Sequence, residues 1–153
     1  MGKRIEVYKA QAVQLVRESA KVYNLTTNVI KSPEDGYHII KELFQVDKLP
    51  NENFMMLTLN TKNKVMGAHI VFVGTLNASV IHPREIFQRA LLNNAASIIV
   101  AHNHPSGSLA PSPEDIDVTE RLRDAGKLMG IEVLDHLIMG DGYISLKEKG
   151  YIS

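Results

Sequence analysis

Two histidines one residue apart, His102 and His104, close an apolar run, and an aspartate, Asp115, follows a short way downstream. Imidazole nitrogens and carboxylate oxygens are zinc ligands. The chain has no cysteine, which removes thiolate zinc sites, disulfide frameworks and thiol catalysis. Side chains at i and i+2 of a strand share a face, so His102 and His104 converge while Asn103 points away. Asp115 falls in the first turn of the next helix, after a loop long enough to fold back. Two histidines and a carboxylate leave one position for water, the arrangement of a catalytic zinc site and not of a closed structural one. A plainer account stands beside this one. A histidine at a strand end is often only a satisfied polar residue. Ser112-Pro113-Glu114-Asp115 also matches a helix start, with Ser112 as N-cap, Pro113 at N1 and Asp115 at N3, where an acid suits the helix dipole. Capping alone accounts for Ser112 and Asp115, although a capped helix end can still present its carboxylate.

Other metal chemistries are excluded by what the chain lacks. His102-Asn103-His104 spells HNH, but the nucleases of that name draw on residues dispersed along a ββα-metal fold, and three adjacent residues on one strand cannot make that site. There is no His-Glu-x-x-His, and without cysteine the zinc deaminase signature is impossible.

The elements that must position these groups can be read along the chain. Val13, Leu15 and Val16 suggest extended structure. Ser32 and Pro33 open a helix to about Gln45, with Tyr37, Ile40, Leu43 and Phe44 at helical spacing. Phe54 to Leu59 and Val65 to Val73 read as strands joined by a turn at Thr61-Lys62-Asn63. Thr75 to Ser79 is a loop and Val80-Ile81 a short strand. His82-Pro83 opens a helix with Ile86, Phe87, Ala90, Leu91 and Asn94 on one face. Ser97 to Ala101 is apolar and β-branched, the pattern of a strand buried on both faces. Pro113 to Met129 is a helix with Val118, Leu122, Ala125 and Met129 on one face and Gly130 past its end. Ile131 to Met139 and Tyr143 to Leu146 form a closing hairpin around Gly140-Asp141-Gly142. The sum is an α+β domain: a mixed sheet with hairpins, flanked by helices as α/β/α layers.

The 153 residues suffice for one domain with its own core. The chain is expected to divide into an N-terminal extension, 1–31, packed on a domain of residues 32–153. No apolar run is long enough to cross a bilayer and no apolar leader opens the chain. With no cysteine, a cytoplasmic location is expected. Lysine plus arginine equals aspartate plus glutamate, 17 each, so net charge offers no reason to expect avid nucleic-acid binding.

His102-x-His104-Pro105 followed by Ser112-x-x-Asp115 resembles the JAMM motif of the MPN-domain metalloproteases. Further stretches resemble the RadC-like branch of that superfamily: Ser32 to Asp35, Leu59 to Asn63, Gly74 to Ser79, His82 to Glu85, Ala101 to Gly107 and Asp135 to Ile138. The resemblance runs from Ser32 to Ser145. It implies an MPN/JAB fold with cytidine-deaminase-like layers and one zinc ion per chain, held by His102, His104 and Asp115. It implies a glutamate general base just before the strand that follows the first helix, a place Glu52 fits, with Glu85 as the alternative. It implies that Ser112 donates to an oxyanion, although capping competes for its hydroxyl. The reaction would be hydrolysis of an amide bond in a peptide or protein.

The remaining histidines carry weaker expectations. His136, beside Asp135, is expected to be structural more than a support for the metal; His69 and His82 are expected at the surface or at a cap. A second function class is a metal-binding or DNA-repair-associated module without peptidase activity. Longer RadC-like proteins carry an N-terminal helix-hairpin-helix segment that looks like a DNA-binding unit. Residues 1–31 show no such pattern, so the DNA association is expected to be an inherited label.

Overall fold

Helix α1, Pro33–Phe44, begins where the sequence supplies a reciprocal cap: Ser32 Oγ accepts from the Asp35 amide, and the Asp35 carboxylate accepts from the Ser32 amide. It ends at Gln45 in left-handed conformation, and a 3-10 turn, Val46–Lys48, leads to the sheet. Strands β1, Asn53–Leu59, and β2, Val65–Val73, form the first hairpin. Helix α2, Pro83–Leu92, precedes strand β3, Ser97–Asn103. Helix α3, Pro113–Met129, crosses to strand β4, Glu132–Gly140, which turns back into β5, Gly142–Ser145. The computed structural model describes residues 2–6, 21, 23–76 and 79–152. The extended stretch expected at Val13, Leu15 and Val16 lies outside them.

The strands make one sheet in the order β2-β1-β3-β4-β5. β1 runs antiparallel to both neighbours, β3 and β4 are parallel, and β5 is antiparallel to β4. Every residue of β1 and β3 is buried, as an apolar strand covered on both faces requires. Alternation sorts their side chains. Phe54, Met56, Ile98 and Val100 pack with Ile86, Phe87 and Ala90 of α2 and Val118 and Leu122 of α3. Met55, Leu57, Ile99 and Ala101 pack on the other face with Ile39 and Ile40 of α1. This is the expected α/β/α layering. Residues 28–30 clip onto the β1–β2 turn: the Ile30 amide donates to Asn63 O and the Val65 amide to Asn28 O.

Four local expectations need correction. Val80 and Ile81 form no strand; Val80 is in a turn and Ile81 is a buried plug of the α2–α3 core, just ahead of Pro83. On α2 the buried stripe is Ile86, Phe87 and Ala90 and continues to Asn93, so Leu91 faces outward and Asn94 lies past the helix end with φ 53°. The stripe of α3 is Asp115, Val118, Thr119, Leu122 and Gly126; Met129 is exposed and, with Leu91, borders an open apolar groove between α2 and α3. His69 is half-buried, not at the surface, whereas His82 does occupy the α2 N-cap position. Among the described residues, no helix is long and apolar enough to cross a membrane.

Candidate metal centre

The alternation that buries Ile98 and Val100 against α2 and α3 sends His102 to the same face, at the end of β3 where α3 begins. His102 is 1% exposed. The chain leaves the strand at Asn103, but His104 remains tied to the sheet because its amide donates to Met139 O of β4 at 2.7 Å. The Gly107 amide donates back to His104 O, and His104 Nδ1 lies 2.9 Å from Ser108 O. That last contact makes Nδ1 the protonated nitrogen and turns Nε2 back toward His102. Gly107 makes this return possible: its φ is 87°, and a Cβ there would strike the Asp141 carboxylate.

Asp115 arrives by capping. Ser112 Oγ accepts from the Asp115 amide at 3.1 Å, and Asp115 Oδ2 accepts from the Ser112 amide at 2.8 Å. The cap and the metal reading are one geometry, because the same box aims the carboxylate at both histidines. Asp115 Oδ1 is 3.1 Å from His102 Nε2 and Oδ2 is 3.5 Å from His104 Nε2, while the two Nε2 atoms are 2.9 Å apart. One ligand atom from each of the three residues lies within 4.8 Å of the others, so together they could hold a metal ion. Zinc–nitrogen bonds of about 2.0–2.1 Å place tetrahedral ligands about 3.3 Å apart, and the observed spacings bracket that value. Nitrogen lone pairs facing each other beside a buried carboxylate fit a cation better than they fit one another.

The charges of the cluster are coupled. Burial would raise the Asp115 carboxyl, but the imidazoles of His102 and His104 set against it outweigh burial and hold its pKa well below the usual carboxylate range. His104 is raised, chiefly by its hydrogen bond to Asp115, against opposing burial and with help from the Ser108 carbonyl. Of the two candidate bases, it is the charge of Glu52 that also raises His104.

Glu52 is half-buried just ahead of β1, and its Oε2 accepts from the Leu76 amide at 3.1 Å. Asn103, pointing to the α1 face, clamps the same segment. Its Oδ1 accepts from the Asn53 amide at 2.7 Å and its Nδ2 donates to Asn51 O at 2.9 Å. The residue between the two histidines therefore fixes the backbone on both sides of Glu52. Glu85 lies in the first turn of α2, where it complements the helix N-terminus.

Two buried residues join the centre that sequence reasoning did not place there. His136, expected to be structural, is wholly buried, and its Nε2 lies 2.8 Å from His102 Nδ1. Burial keeps its pKa well below the ordinary histidine value. Its Nδ1 lies 2.6 Å from Thr119 Oγ1, which donates to Asp115 O at 2.6 Å. Thr119 was legible as a polar residue four positions after Asp115, on the buried stripe of α3. His136 was legible by register, since it stands opposite Val100 on the α2–α3 side of the sheet. Neighbouring Asp135 acts elsewhere, accepting from Ser145 Oγ and the Lys147 amide and so tying down the end of β5.

Of His102, His104 and Asp115, only His104 is partly exposed, its side chain 14% against 1% for His102 and 3% for Asp115. His104 forms part of the wall of a cleft of about 380 Å³ that also includes Tyr37, Lys41, Pro105 and Asp141. The cleft lies on the α1 side together with Asn103, and neither His102 nor Asp115 lines it.

Comparison with known proteins agrees with this architecture. The family model of the RadC-like JAB domain matches residues 30–151. The UPF0758 protein of Shouchella clausii is 49% identical over 154 residues, covering all of this chain and 65% of that protein. The UPF0758 protein YsxA of Bacillus subtilis is 49% identical over 153 residues, 99% of this chain and 64% of its own length. A UPF0758 protein of Geobacillus thermodenitrificans is 54% identical over 125 residues, 81% of this chain and 54% of its own. The chain thus spans about two thirds or less of these three curated relatives, whose names state no activity. With the family match covering most of its length, a mixed five-stranded sheet between helices and a histidine–histidine–aspartate group at the end of β3, the chain belongs to the RadC-like JAB domain family.

Proposed function

We propose that this chain is a zinc-dependent hydrolase of amide bonds, a metallopeptidase or isopeptidase acting on a peptide or protein. The observation that carries the reading is the convergence of His102 Nε2, His104 Nε2 and an Asp115 oxygen, with His104 partly exposed. Three protein ligands of this type leave a coordination position free, as hydrolytic zinc sites do. When bound there, zinc supplies Lewis acidity toward a water and a carbonyl oxygen.

The remaining steps belong to the chain's own residues. Glu52 accepts the proton of the attacking water and passes it to the leaving amine. Its carboxylate is steadied by the Leu76 amide and its backbone by Asn103. Ser112 donates to the developing oxyanion. Its capping contact uses a lone pair of Oγ to receive the Asp115 amide, which leaves the hydroxyl proton free for that purpose. A donor of this kind is worth ~2.7–4 kcal/mol of transition-state stabilisation in other enzymes.

The test pairs metal analysis with cleavage of a library of peptide and isopeptide substrates. Wild-type protein should carry one zinc per chain and hydrolyse some members. His104→Ala should lose both properties. Glu52→Gln should keep zinc and lose hydrolysis by on the order of 10²–10⁴-fold. A wild-type protein that refuses zinc would remove the hydrolase reading. One that binds zinc, cleaves nothing and shifts DNA at physiological salt would support the metal-binding, DNA-associated module instead.

A further inference from the structure

We propose that His136 and Thr119 fix the protonation pattern of His102, so that its Nε2 presents a bare lone pair to the metal position. The proposal rests on the metal reading above but concerns residues that reading does not use. The direction of each hydrogen bond follows from a fixed end. Asp115 O can only accept, and Thr119 Oγ1 lies 2.6 Å from it, so the single hydroxyl proton of Thr119 is spent there. At 2.6 Å, His136 Nδ1 must then donate to Thr119 Oγ1. The His136 ring is wholly buried and met by a hydroxyl and another imidazole, surroundings in which a second proton would leave a buried cation without a carboxylate against its ring. Its Nε2 is therefore bare and accepts, at 2.8 Å, from His102 Nδ1–H. The proton of a neutral His102 is thereby assigned to Nδ1, and Nε2 faces His104 and Asp115 with its lone pair free.

The path closes on itself. It starts at the main chain of Asp115, passes through Thr119 on α3, His136 on β4 and His102 on β3, and returns to the Asp115 carboxylate. The ends of α3, β4 and β3 at this corner of the sheet are thus held in one mutual orientation. His136 and Thr119 are positioning residues: they touch no substrate and act through His102. Ligating histidines are commonly oriented by a partner on their second nitrogen, and loss of that partner typically weakens metal affinity 10–100-fold. Here the partner is a neutral imidazole whose own tautomer is set by a threonine, a weaker acceptor than the carboxylate often found in that place.

The experiment has two readouts that do not depend on activity. Nitrogen-15 NMR of the histidine side chains in the full chain should show His136 protonated at Nδ1, and His102 protonated at Nδ1 with Nε2 carrying the zinc signature in the loaded protein. Competition against a chromophoric chelator should show zinc affinity falling 10–100-fold in His136→Phe, with part of it recovered in His136→Gln, whose amide oxygen can again accept from His102. Thr119→Val, a smaller change that covers the case of a His136 variant that fails to fold, should move the His136 proton toward Nε2 and weaken zinc binding. A His136 protonated at Nε2 in the wild type overturns the proposal. So does undiminished zinc affinity in a folded His136→Phe or in Thr119→Val. A wild type that binds no zinc would instead end the metal reading itself, and the two failures are told apart by that measurement alone.

Discussion

The two ends of the β1–β3 pair bury polar groups in different ways. At the C-terminal end of β3, His102, Asp115, His136 and Thr119 are all buried, and every hydrogen bond among them orients an atom toward one point. At the N-terminal end lies a second polar group, formed by Thr58, His69, Asn93 and Ser97. Thr58 Oγ1 donates to Asn93 Oδ1, and Asn93 Nδ2 donates to Arg89 O. There the order stops. His69 Nε2 and Ser97 Oγ are buried with no partner that meets hydrogen-bond geometry. Gly67 leaves the room this packing needs, since a Cβ on it would strike Asn93 Oδ1. Burial and polarity are common to both ends; convergence of two ring nitrogens and a carboxylate on one point belongs to the first. That separates a candidate site from a structural polar plug that ties α2 to the sheet.

The contrast can be broken most directly by swapping a carboxylate for an amide at one end and removing an amide at the other. Asp115→Asn keeps a capping acceptor for the Ser112 amide, so α3 should start in the same place, but the anionic ligand is gone. Zinc content should fall to near zero, and hydrolysis with it. Asn93→Ala should leave zinc content at one per chain while destabilising the fold by ~1–3 kcal/mol in denaturant, because Thr58 Oγ1 loses its acceptor and Arg89 O one of its two donors. Metal retained by Asp115→Asn, or lost from Asn93→Ala, would mean that the two ends do not differ in the way described.

A finer test uses Asn103, which belongs to the functional end but points away from the metal. Asn103→Ala removes two hydrogen bonds to the segment that carries Glu52. Zinc binding should be unchanged. Hydrolysis should fall by up to on the order of 10²-fold, the scale of effect expected when a reacting group is displaced by about 1 Å. Equal loss of zinc and of activity would show that the clamp supports the ligands and not Glu52.

The sequence made some of this legible and left the rest unreadable for identifiable reasons. Both capping boxes were visible as Ser32-Pro33-Glu34-Asp35 and Ser112-Pro113-Glu114-Asp115, because a cap is a local pattern of four residues. The double burial of β3 was visible in its continuous β-branched run, and the pairing of His102 with His104 in their spacing. Their contact with Asp115 was reached through the loop length and through family resemblance. His136 and Thr119 were not placed at the centre because their role depends on the parallel register of β3 with β4 and on how α3 lies across them, neither of which is local. Leu91 and Met129 were expected inside because helical periodicity says which face a residue is on, but not where the neighbouring surface ends. Val80-Ile81 looked like a strand because a short apolar pair before a proline reads the same whether it extends a sheet or plugs a core.

The smallest effect separates the two ends by the sign of a pH dependence, measured in metal-free protein. His104 has a raised pKa, held up chiefly by its hydrogen bond to Asp115. The folded chain therefore binds that proton more tightly than the unfolded chain does, so the pairing stabilises fully below the ordinary histidine value of 6.5 and fades as pH rises through the raised value. His69 has a lowered pKa, chiefly because burial disfavours its charged form. There the unfolded chain holds the proton that the folded chain gives up, so His69 detracts from stability below 6.5 and not above it. His104→Gln should consequently lower Tm more at about pH 5.5 than at about pH 8, and His69→Gln should do the reverse, both judged against the wild type in chelator. Added zinc should reverse the His104 trend, since the ion needs the bare imidazole and its binding strengthens as pH rises. If both variants followed the same pH trend, His104 would be a buried polar residue like His69, and the pairing with Asp115 that distinguishes the two ends would not exist in solution.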